Sequence, residues 1–412
     1  MDAKDKFSSH DQSIEPEVAD RRQFLTGMIA TTATLASAPL FLQAATRHHS
    51  HHGPFVPRVP VVKNLLIGSG SQDGIVRMGW NAETGELTEG AVVAAVANPS
   101  WITLSPERHF LYAACEVADF DGKPTGGVAS FRVVSTAKDG VKLEAISRAS
   151  SAGAGTCQVA VDETGRVLIS ADYTGGSAAS FLSEQGKFGA HVWSEKYTGS
   201  GPVVGRQEAA HAHFASFSPD GQFAYVNDLG SDCIHIYHVD AATAKLTAAG
   251  SYRSHAGAGP RTLHFHPNGH TGYVVNELDS TVDVVEWARV DGSLTKVDEI
   301  KLLPEGFTGE TRAADTVISS DGLFVYFANR GNDLIYSFHA EPGNGKLTPI
   351  GRTPSGGRTP RHFILDPTER WMLVANQDGN LISVFARDKK TGELAGEGKS
   401  FPAKTPTCLV LV

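Results

Sequence analysis

The chain has 412 residues, of which 41% are hydrophobic, 8% aromatic and 20% charged, and it contains 43 glycines and 20 prolines. This composition excludes a disordered acidic or basic chain, a coiled coil and a polytopic membrane protein. Acidic residues outnumber Lys and Arg by 45 to 36, so the charge does not favour a polyphosphate partner, and we expect no nucleic-acid binding.

Residues 1–45 are typical of an export signal rather than of a folded domain. Asp20–Thr26 contains two adjacent arginines followed by Phe-Leu, and the weakly apolar stretch Gly27–Ala45 is rich in small residues. The segment resembles the twin-arginine export signal of bacteria. It implies an exported, periplasmic protein that meets the twin-arginine machinery during translocation. An uncleaved membrane anchor is the disfavoured alternative, because the apolar stretch is short and contains several threonines.

Residues 46–62 follow as a segment rich in histidine and proline. Four of the five residues at positions 48–52 are histidines, and imidazoles could hold a transition metal. Flexible histidines without fixed neighbours form only a loose site, so the sequence favours a solvated linker.

The four cysteines stand far apart and form no C-x-x-C pair. They are too few for a disulfide scaffold and too widely spaced for a structural zinc site. We therefore expect each to be a small, buried, apolar side chain. They are Cys115, Cys157, Cys233 and Cys408.

From Lys63 onward the sequence repeats. A short alternating apolar run ends in an aromatic residue in seven copies, at intervals of 51, 50, 56, 50, 51 and 47 residues. A second run interleaves with the first and contains a hairpin turn such as Asn268-Gly269. The period-two alternation excludes helical repeats, and four strands in about 50 residues are typical of a β-propeller. We predict an all-β, seven-bladed β-propeller as one domain over residues 63–412. The aromatic residues are Trp80, Phe131, Phe181, Tyr237, Trp287, Phe338 and Phe385.

The repeats also predict how the ring closes. Six copies of the second unit are complete, whereas the seventh, Thr405–Leu409, stops after one strand at the C-terminus. The first blade begins near Leu65 and lacks that strand. We expect the C-terminal strand to pair with the N-terminal blade and thereby remove both free edges.

Hairpin symmetry predicts which residues surround the central channel. Arg261 and Glu277 are equidistant from Gly269, so we expect them to be cross-strand neighbours at the open end of their hairpin. The same reasoning pairs Ala314 with Arg330, Arg361 with Gln377, His213 with Leu229, Ser100 with Glu116 and Cys157 with Tyr173. The predicted polar ring contains His213, Arg261, Glu277, Arg330, Arg361 and Gln377, with Glu116 and Tyr173 opposite, and His362 and Asp315 one position further along.

These residue types favour acid–base chemistry on an anion. Three arginines around one volume repel each other unless a carboxylate or phosphate neutralises them. A histidine and a glutamate beside them can transfer protons, and arginine can stabilise an oxyanion during ester cleavage. The sequence has no G-x-S-x-G and no H-E-x-x-H motif, so it offers little support for serine or zinc-protease chemistry.

Four segments resemble the seven-bladed propeller lactonase family, which includes a 6-phosphogluconolactonase and the fungal carboxy-cis,cis-muconate cyclase. They are Gly259–Arg261, Val275–Leu278, Ala328–Gly331 and Thr359–Phe363. The resemblance covers about residues 63 to 412 and implies opening or closing of a lactone ring that carries anionic groups. In the cyclase branch a His, two Arg and a Glu of the channel are implicated. Motif and spacing carry these roles onto His213, Arg261, Glu277 and Arg330.

We therefore expect a monomeric lactonase that needs no metal or cofactor and acts on a small anionic lactone. The predicted catalytic residues are His213, Glu277 and Arg261. The predicted substrate-binding residues are Arg330, Arg361, His362, Gln377, Glu116 and Tyr173. A non-catalytic propeller that binds a small anion or a protein, and a cyclase-type lyase, remain alternatives. Export argues against a phosphorylated sugar lactone, which is made and consumed in the cytoplasm, so a periplasmic aldonolactone or another acidic lactone is an equal alternative.

Overall fold

The computed structural model describes residues 63–71, 73–136 and 140–412. The predicted export signal (1–45) and linker (46–62) lie outside these residues. The regular structure that is described consists of strands, apart from a single 3₁₀ turn at Leu229–Ser231. The described part of the chain contains no helix that is long and apolar enough to span a membrane.

The strands form seven separate sheets, which confirms the predicted all-β, seven-bladed propeller. The first sheet contains β1 (Asn64–Ser69), β2 (Ile75–Asn81), β3 (Glu86–Leu87), β4 (Ala91–Ala94) and the last strand, β29 (Pro406–Leu411). The second contains β5 (Pro99–Leu104), β6 (Phe110–Cys115), β7 (Gly127–Thr136) and β8 (Gly140–Ser150). The third contains β9 (Thr156–Val161), β10 (Val167–Asp172), β11 (Ser177–Leu182) and β12 (Trp193–Lys196).

The other four sheets repeat the same antiparallel order. The fourth contains β13 (Ala212–Phe217), β14 (Phe223–Asp228), β15 (Cys233–Asp240) and β16 (Lys245–Arg253). The fifth contains β17 (Pro260–Phe265), β18 (Thr271–Asn276), β19 (Thr281–Trp287) and β20 (Leu294–Lys301). The sixth contains β21 (Ala313–Ile318), β22 (Phe324–Asn329), β23 (Leu334–Ala340) and β24 (Leu347–Pro354). The seventh contains β25 (Pro360–Leu365), β26 (Trp371–Asn376), β27 (Leu381–Ala386) and β28 (Lys399–Pro402).

The C-terminal strand closes the ring as predicted. In the β1–β29 pair, Leu65 lies opposite Leu411 and Ile67 lies opposite Leu409. The innermost strands follow one another around the channel in the order β5, β9, β13, β17, β21, β25 and β29, and β29 again neighbours β5. Both ends of the described propeller are therefore joined in one sheet.

The core lies between neighbouring sheets rather than at the centre of the ring. The buried apolar residues of the described chain fall into seven clusters, one at each interface between adjacent blades. Strands that pack on both faces bury nearly every residue, as β14, β18 and β22 do. The four cysteines are free and buried, as expected from their spacing.

A β-bulge occurs near the start of every innermost strand. In the β17–β18 pair, Pro260 lies opposite Asn276 and Thr262 lies opposite Val275, so Arg261 is an extra, unpaired residue. In the sixth sheet the shift spans Ala314 and Asp315. The equivalent extra residues in the other sheets are Ser100, Cys157, His213, Arg361 and Thr407.

The bulge makes the predicted cross-strand pairs wrong in register. Glu277 is not opposite Arg261: it follows the end of β18, and its amide nitrogen donates to the carbonyl oxygen of Gly259 at 2.8 Å. In the other five blades the second residue of each predicted pair likewise follows its strand, and its amide nitrogen donates to a carbonyl oxygen two residues before the predicted partner. One residue of this displacement comes from the bulge, and the other arises because each hairpin is centred half a residue earlier than assumed. Hairpin symmetry counts residues evenly on both strands, whereas the bulge places one additional residue on the inner strand.

We predict that Leu409→Ala lowers the free energy of unfolding by about 2–5 kcal/mol, because it empties a buried position in the strand that closes the ring. Urea denaturation measures the change. Val290→Ala, at a side chain that is 89% exposed, is the control and should change stability by less than about 0.5 kcal/mol. An unchanged Leu409→Ala protein would show that β29 contributes little to the core.

Candidate active site

Glu277 lies at the centre of an ion-pair cluster at the open ends of the hairpins. One carboxylate oxygen, Oε2, lies 3.0 Å from Arg261 Nε and accepts a hydrogen bond from Arg330 Nη2. The other oxygen, Oε1, accepts from Arg206 Nη2. Arg261 is the bulge residue of β17, and Arg330 directly follows β22. Three guanidinium groups therefore surround one buried carboxylate.

This cluster makes Glu277 a weak base. Burial alone would raise its pKa, but the positive charges of Arg330 and Arg261 outweigh burial and hold the pKa well below its ordinary value. Burial in turn lowers the pKa of Arg330 to about 9. At neutral pH the pairs are charged, and Glu277 acts mainly as the counterion that holds the arginines in place.

His213 is the uncommitted base beside this cluster. It is the bulge residue of β13, and its ring meets the ring of Tyr173 edge-on at 5.5 Å. Its Nδ1 is buried and has no hydrogen-bond partner within the described residues. Burial, followed by the charge of Arg261, holds the pKa of His213 well below its ordinary value. His213 is therefore neutral at pH 7 and has a free lone pair, although the same lowered pKa makes it a weaker base than an exposed imidazole.

Arg361 is held more loosely than the arginines around Glu277. Its Nη2 lies 3.5 Å from Glu116 Oε2, and its Nη1 lies 3.4 Å from Gln377 Oε1. Both contacts are long for charge-assisted hydrogen bonds. A bound anion could therefore recruit this guanidinium at little cost.

A narrow cavity connects these groups. Its polar wall contains residues at or beside the bulges, and its apolar wall contains two aromatic rings that meet edge-on at 5.6 Å, those of Trp101 and Phe214. The cavity is lined by Trp101, Cys157, Gln158, His213, Phe214, Arg261, Arg361 and Thr407. The cavity volume is only about 10 Å³, the space of one water molecule, so a larger ligand contacts His213, Arg261 and Arg361 together only if lining side chains move apart.

His362 and Asp315 form a second polar group with His264. The Nε2 of His264 lies 2.9 Å from one oxygen of Asp315, and the Nε2 of His362 lies 3.7 Å from the other. The backbone nitrogen of Leu409 donates to His362 Nδ1 at 3.2 Å, and the His362 ring meets Trp101 edge-on at 5.1 Å. Both nitrogens of His362 thus face groups of the protein, and the ring lies behind Trp101 rather than among the residues that line the cavity.

Arg206 is a residue of the cluster that the sequence analysis missed. It lies in the segment 197–211 between β12 and β13, which is the longest connection between two blades in the described chain. Its Nη2 contacts both Glu277 and the hydroxyl of Tyr173, the latter at 3.4 Å. The one signal in the sequence is the interval of 56 residues between Phe181 and Tyr237, the longest of the six.

The neighbouring residue, Gln207, fixes the backbone position of Arg206. The amide of the next residue, Gln207, is fully buried and donates from Nε2 to the carbonyl oxygen of Leu229 at 2.8 Å and to Asp232 Oδ1 at 2.7 Å. The Arg206 side chain nevertheless remains 32% exposed, against 3% for Arg261. It therefore covers the solvent side of Glu277 from a fixed position.

The site carries a small positive charge that an anion would neutralise. From the sequence, three arginines are expected to require an external anion. In the structure, the carboxylate of Glu277 already neutralises part of their charge. With Arg206 included there are four arginines, which face Glu277, Glu116 and the nearby Asp315. The four arginines carry four positive charges and the three carboxylates carry three negative charges. With His213 neutral, one positive charge therefore remains. One carboxylate or phosphate group on a ligand matches this excess.

One cluster in the described residues has the composition of a metal site: His255, Asp283 and Glu299. The ammonium of Lys296 already occupies part of it, at 2.9 Å from Asp283 Oδ1 and in contact with Glu299. It shares no residue with the cavity beside His213, and we assign it no function.

Comparisons with known proteins identify the family of the chain. The sequence pattern of the family described as "Lactonase, 7-bladed beta-propeller" matches residues 64–411. The chain belongs to this family. It is 31% identical to a 6-phosphogluconolactonase of Bacillus subtilis over 342 residues, 82% of this chain and 95% of that protein. It is 35% identical to a 6-phosphogluconolactonase of Formosa agariphila over 327 residues, 78% of this chain and 90% of that protein.

A solved structure gives the same result for the fold. The periplasmic gluconolactonase of Pseudomonas aeruginosa is 30% identical, covers 85% of this chain and 99% of its own, and superposes with a TM-score of 0.79. The names of these relatives support a lactonase-type function for this chain.

We predict that His362 contributes to acid destabilisation of the fold. Burial lowers its pKa from 6.5 to about 4, so the unfolded chain takes up a proton before the folded chain does. The stability from this group is complete above pH 6.5 and is lost as the pH falls towards 4. In His362→Asn, the slope of unfolding free energy against pH in this window should decrease by about 1.4 kcal/mol per pH unit.

Urea denaturation at pH 7, 6, 5 and 4.5 measures this slope. His213 also has a lowered pKa, so part of the pH dependence should remain in His362→Asn. An unchanged slope in this variant would contradict the assignment of a neutral, buried His362.

Proposed function

We propose that this protein hydrolyses a lactone ring at the narrow cavity beside His213, whose lining side chains move apart to admit the ring. The observation that carries the proposal is the unpartnered nitrogen of His213, a neutral base, in one cavity with the guanidinium groups of Arg261 and Arg361. Ester hydrolysis needs both a proton acceptor for water and positive charge near the carbonyl oxygen. Membership of the lactonase family supports this reaction class.

In the proposed mechanism His213 accepts a proton from a water molecule, whose oxygen attacks the lactone carbonyl carbon. Arg261 and Arg361 stabilise the negative charge that develops on the carbonyl oxygen. The ring C–O bond then breaks, and the leaving alkoxide takes the proton from His213. The product is the open hydroxy acid. These steps use groups of this chain alone.

In this mechanism Glu277 is a positioning residue rather than the base. Its low pKa makes it a poor proton acceptor, and its two oxygens are engaged by Arg206, Arg261 and Arg330. Its role is to keep Arg261 and Arg330 oriented. From the sequence, either His213 or Glu277 could activate water, and we now propose that His213 does so.

We propose a sugar-acid lactone that carries one anionic group as the substrate. The residual positive charge supports an anion, and the names of the Bacillus and Formosa relatives include a phosphorylated lactone. The Pseudomonas relative is named for an unphosphorylated lactone and for the periplasm. Its name and the arginine pair of Asp20–Thr26 support our proposal that this protein is exported.

We predict that His213→Ala lowers kcat for lactone hydrolysis by about 10²–10⁴-fold, the usual contribution of a positioned base. A pH-stat assay with D-glucono-1,5-lactone and its 6-phosphate measures the rate. The exposed His270→Ala is the matched control and should keep wild-type activity. Full activity in His213→Ala would remove His213 from the mechanism, and a wild-type protein inactive on the 6-phosphate, the anionic lactone of the two, would refute the proposed substrate.

We predict that Arg206→Ala lowers kcat/KM for the phosphorylated lactone about 10–100-fold, because it removes the most exposed of the positive charges that attract the anionic group. The effect on the unphosphorylated lactone should be several times smaller. Arg289→Ala, which alters an arginine that is 75% exposed and pairs with Asp220, serves as the control. Equal losses on both lactones would show that Arg206 does not recognise the anion.

A further inference from the structure

Seven side-chain hydroxyls of the described residues are buried without a hydrogen-bond partner, and among them that of Thr407 belongs to a residue that lines the narrow cavity. The residue is 1% exposed, and its Oγ1 is buried without a hydrogen-bond partner within the described residues. Buried hydroxyl groups are normally hydrogen-bonded, since an unpaired one loses its contacts with water and gains nothing in return. An exception calls for a physical reason.

The position of Thr407 supplies that reason. It is the bulge residue of β29, equivalent to His213 in β13, Arg261 in β17 and Arg361 in β25. Like them, it lines the narrow cavity. The unpaired hydroxyl thus belongs to the same wall as the proposed base and the proposed anion-binding groups.

The chemistry of the wall indicates the kind of ligand. A threonine hydroxyl both donates and accepts, so it complements a ligand hydroxyl, which does the same. The cavity lining also contains the rings of Trp101 and Phe214, and aromatic rings provide an apolar surface for the C–H groups of a bound ring. The amide of Gln158 is already committed, since it donates to and accepts from the backbone of Ala215 at 3.2 and 2.9 Å.

We propose that the Thr407 hydroxyl binds a hydroxyl group of a polyhydroxylated lactone and of its open-chain acid. The inference rests on the proposed function for the lactone. The inference for the open-chain acid requires only that the protein binds the acid and does not depend on hydrolysis. Thr407 then pairs its hydroxyl when the ligand is bound and leaves it unpaired when the cavity holds none.

Thr407→Val tests this inference, because valine keeps the shape of threonine and removes the hydroxyl. Dissociation constants for D-gluconate and 6-phospho-D-gluconate, measured by calorimetry, should increase about tenfold. The midpoint of thermal unfolding should stay the same or rise, since no hydrogen bond within the protein is lost. Thr407→Ser, which keeps the hydroxyl, should bind within about threefold of wild type.

Thr281→Val is the matched control for a hydroxyl with a structural role. Its Oγ1 accepts from Asn276 Nδ2 at 3.0 Å and donates to Asp279 Oδ1 at 2.9 Å. This variant should lower the thermal midpoint and leave the dissociation constants unchanged. The pair of variants therefore separates a binding role from a structural one.

The inference is overturned if Thr407→Val binds both acids as wild type does, if its thermal midpoint falls as that of Thr281→Val does, or if wild type binds neither acid. The turnover assay with the two lactones is read separately. Wild type that binds an acid but hydrolyses neither lactone would refute the proposed function, while the binding comparison would still decide the role of Thr407.

Discussion

The site depends on the β-bulge near the start of each innermost strand. A regular strand would alternate its side chains between the two faces of the sheet, where neighbouring blades pack against them. The extra residue at each bulge leaves this alternation and is not needed for the core. At five of the seven positions the extra residue lines the narrow cavity: Cys157, His213, Arg261, Arg361 and Thr407. The repeat therefore provides a ring of positions whose side chains can change without altering the fold.

Charge balance limits what these positions can hold. A buried guanidinium group is tolerated only beside a counterion, and here one carboxylate, that of Glu277, serves Arg206, Arg261 and Arg330. The same positive charges lower the proton affinity of Glu277 and contribute to keeping His213 neutral. The proposed division between a charged positioning group and a neutral base thus rests on one electrostatic arrangement.

Much of this architecture was predictable from the sequence, because the repeat period sets the number of blades and the missing strand sets how the ring closes. The neighbourhood of Arg261 and Glu277 also followed from hairpin symmetry, although their register did not. A bulge has no fixed residue type: the seven include threonine, serine, cysteine, histidine, alanine and arginine, so counting along the chain could not reveal it. Arg206 lies outside the repeat, and the hydroxyl of Thr407 becomes notable only when its missing partner is seen.

The order of the blades places different side chains on the two sides of the cavity. His213 and Arg261 lie on the neighbouring strands β13 and β17, whereas Arg361 and Thr407 lie on the neighbouring strands β25 and β29. In the ring order, β21 separates the two pairs on one side, and β5 and β9 separate them on the other. In the proposed mechanism the lactone carbonyl lies between His213, Arg261 and Arg361, so the other substituents of the ring extend towards Thr407. Seven equivalent positions with unlike residues thus orient a small ring, which a symmetric channel could not do.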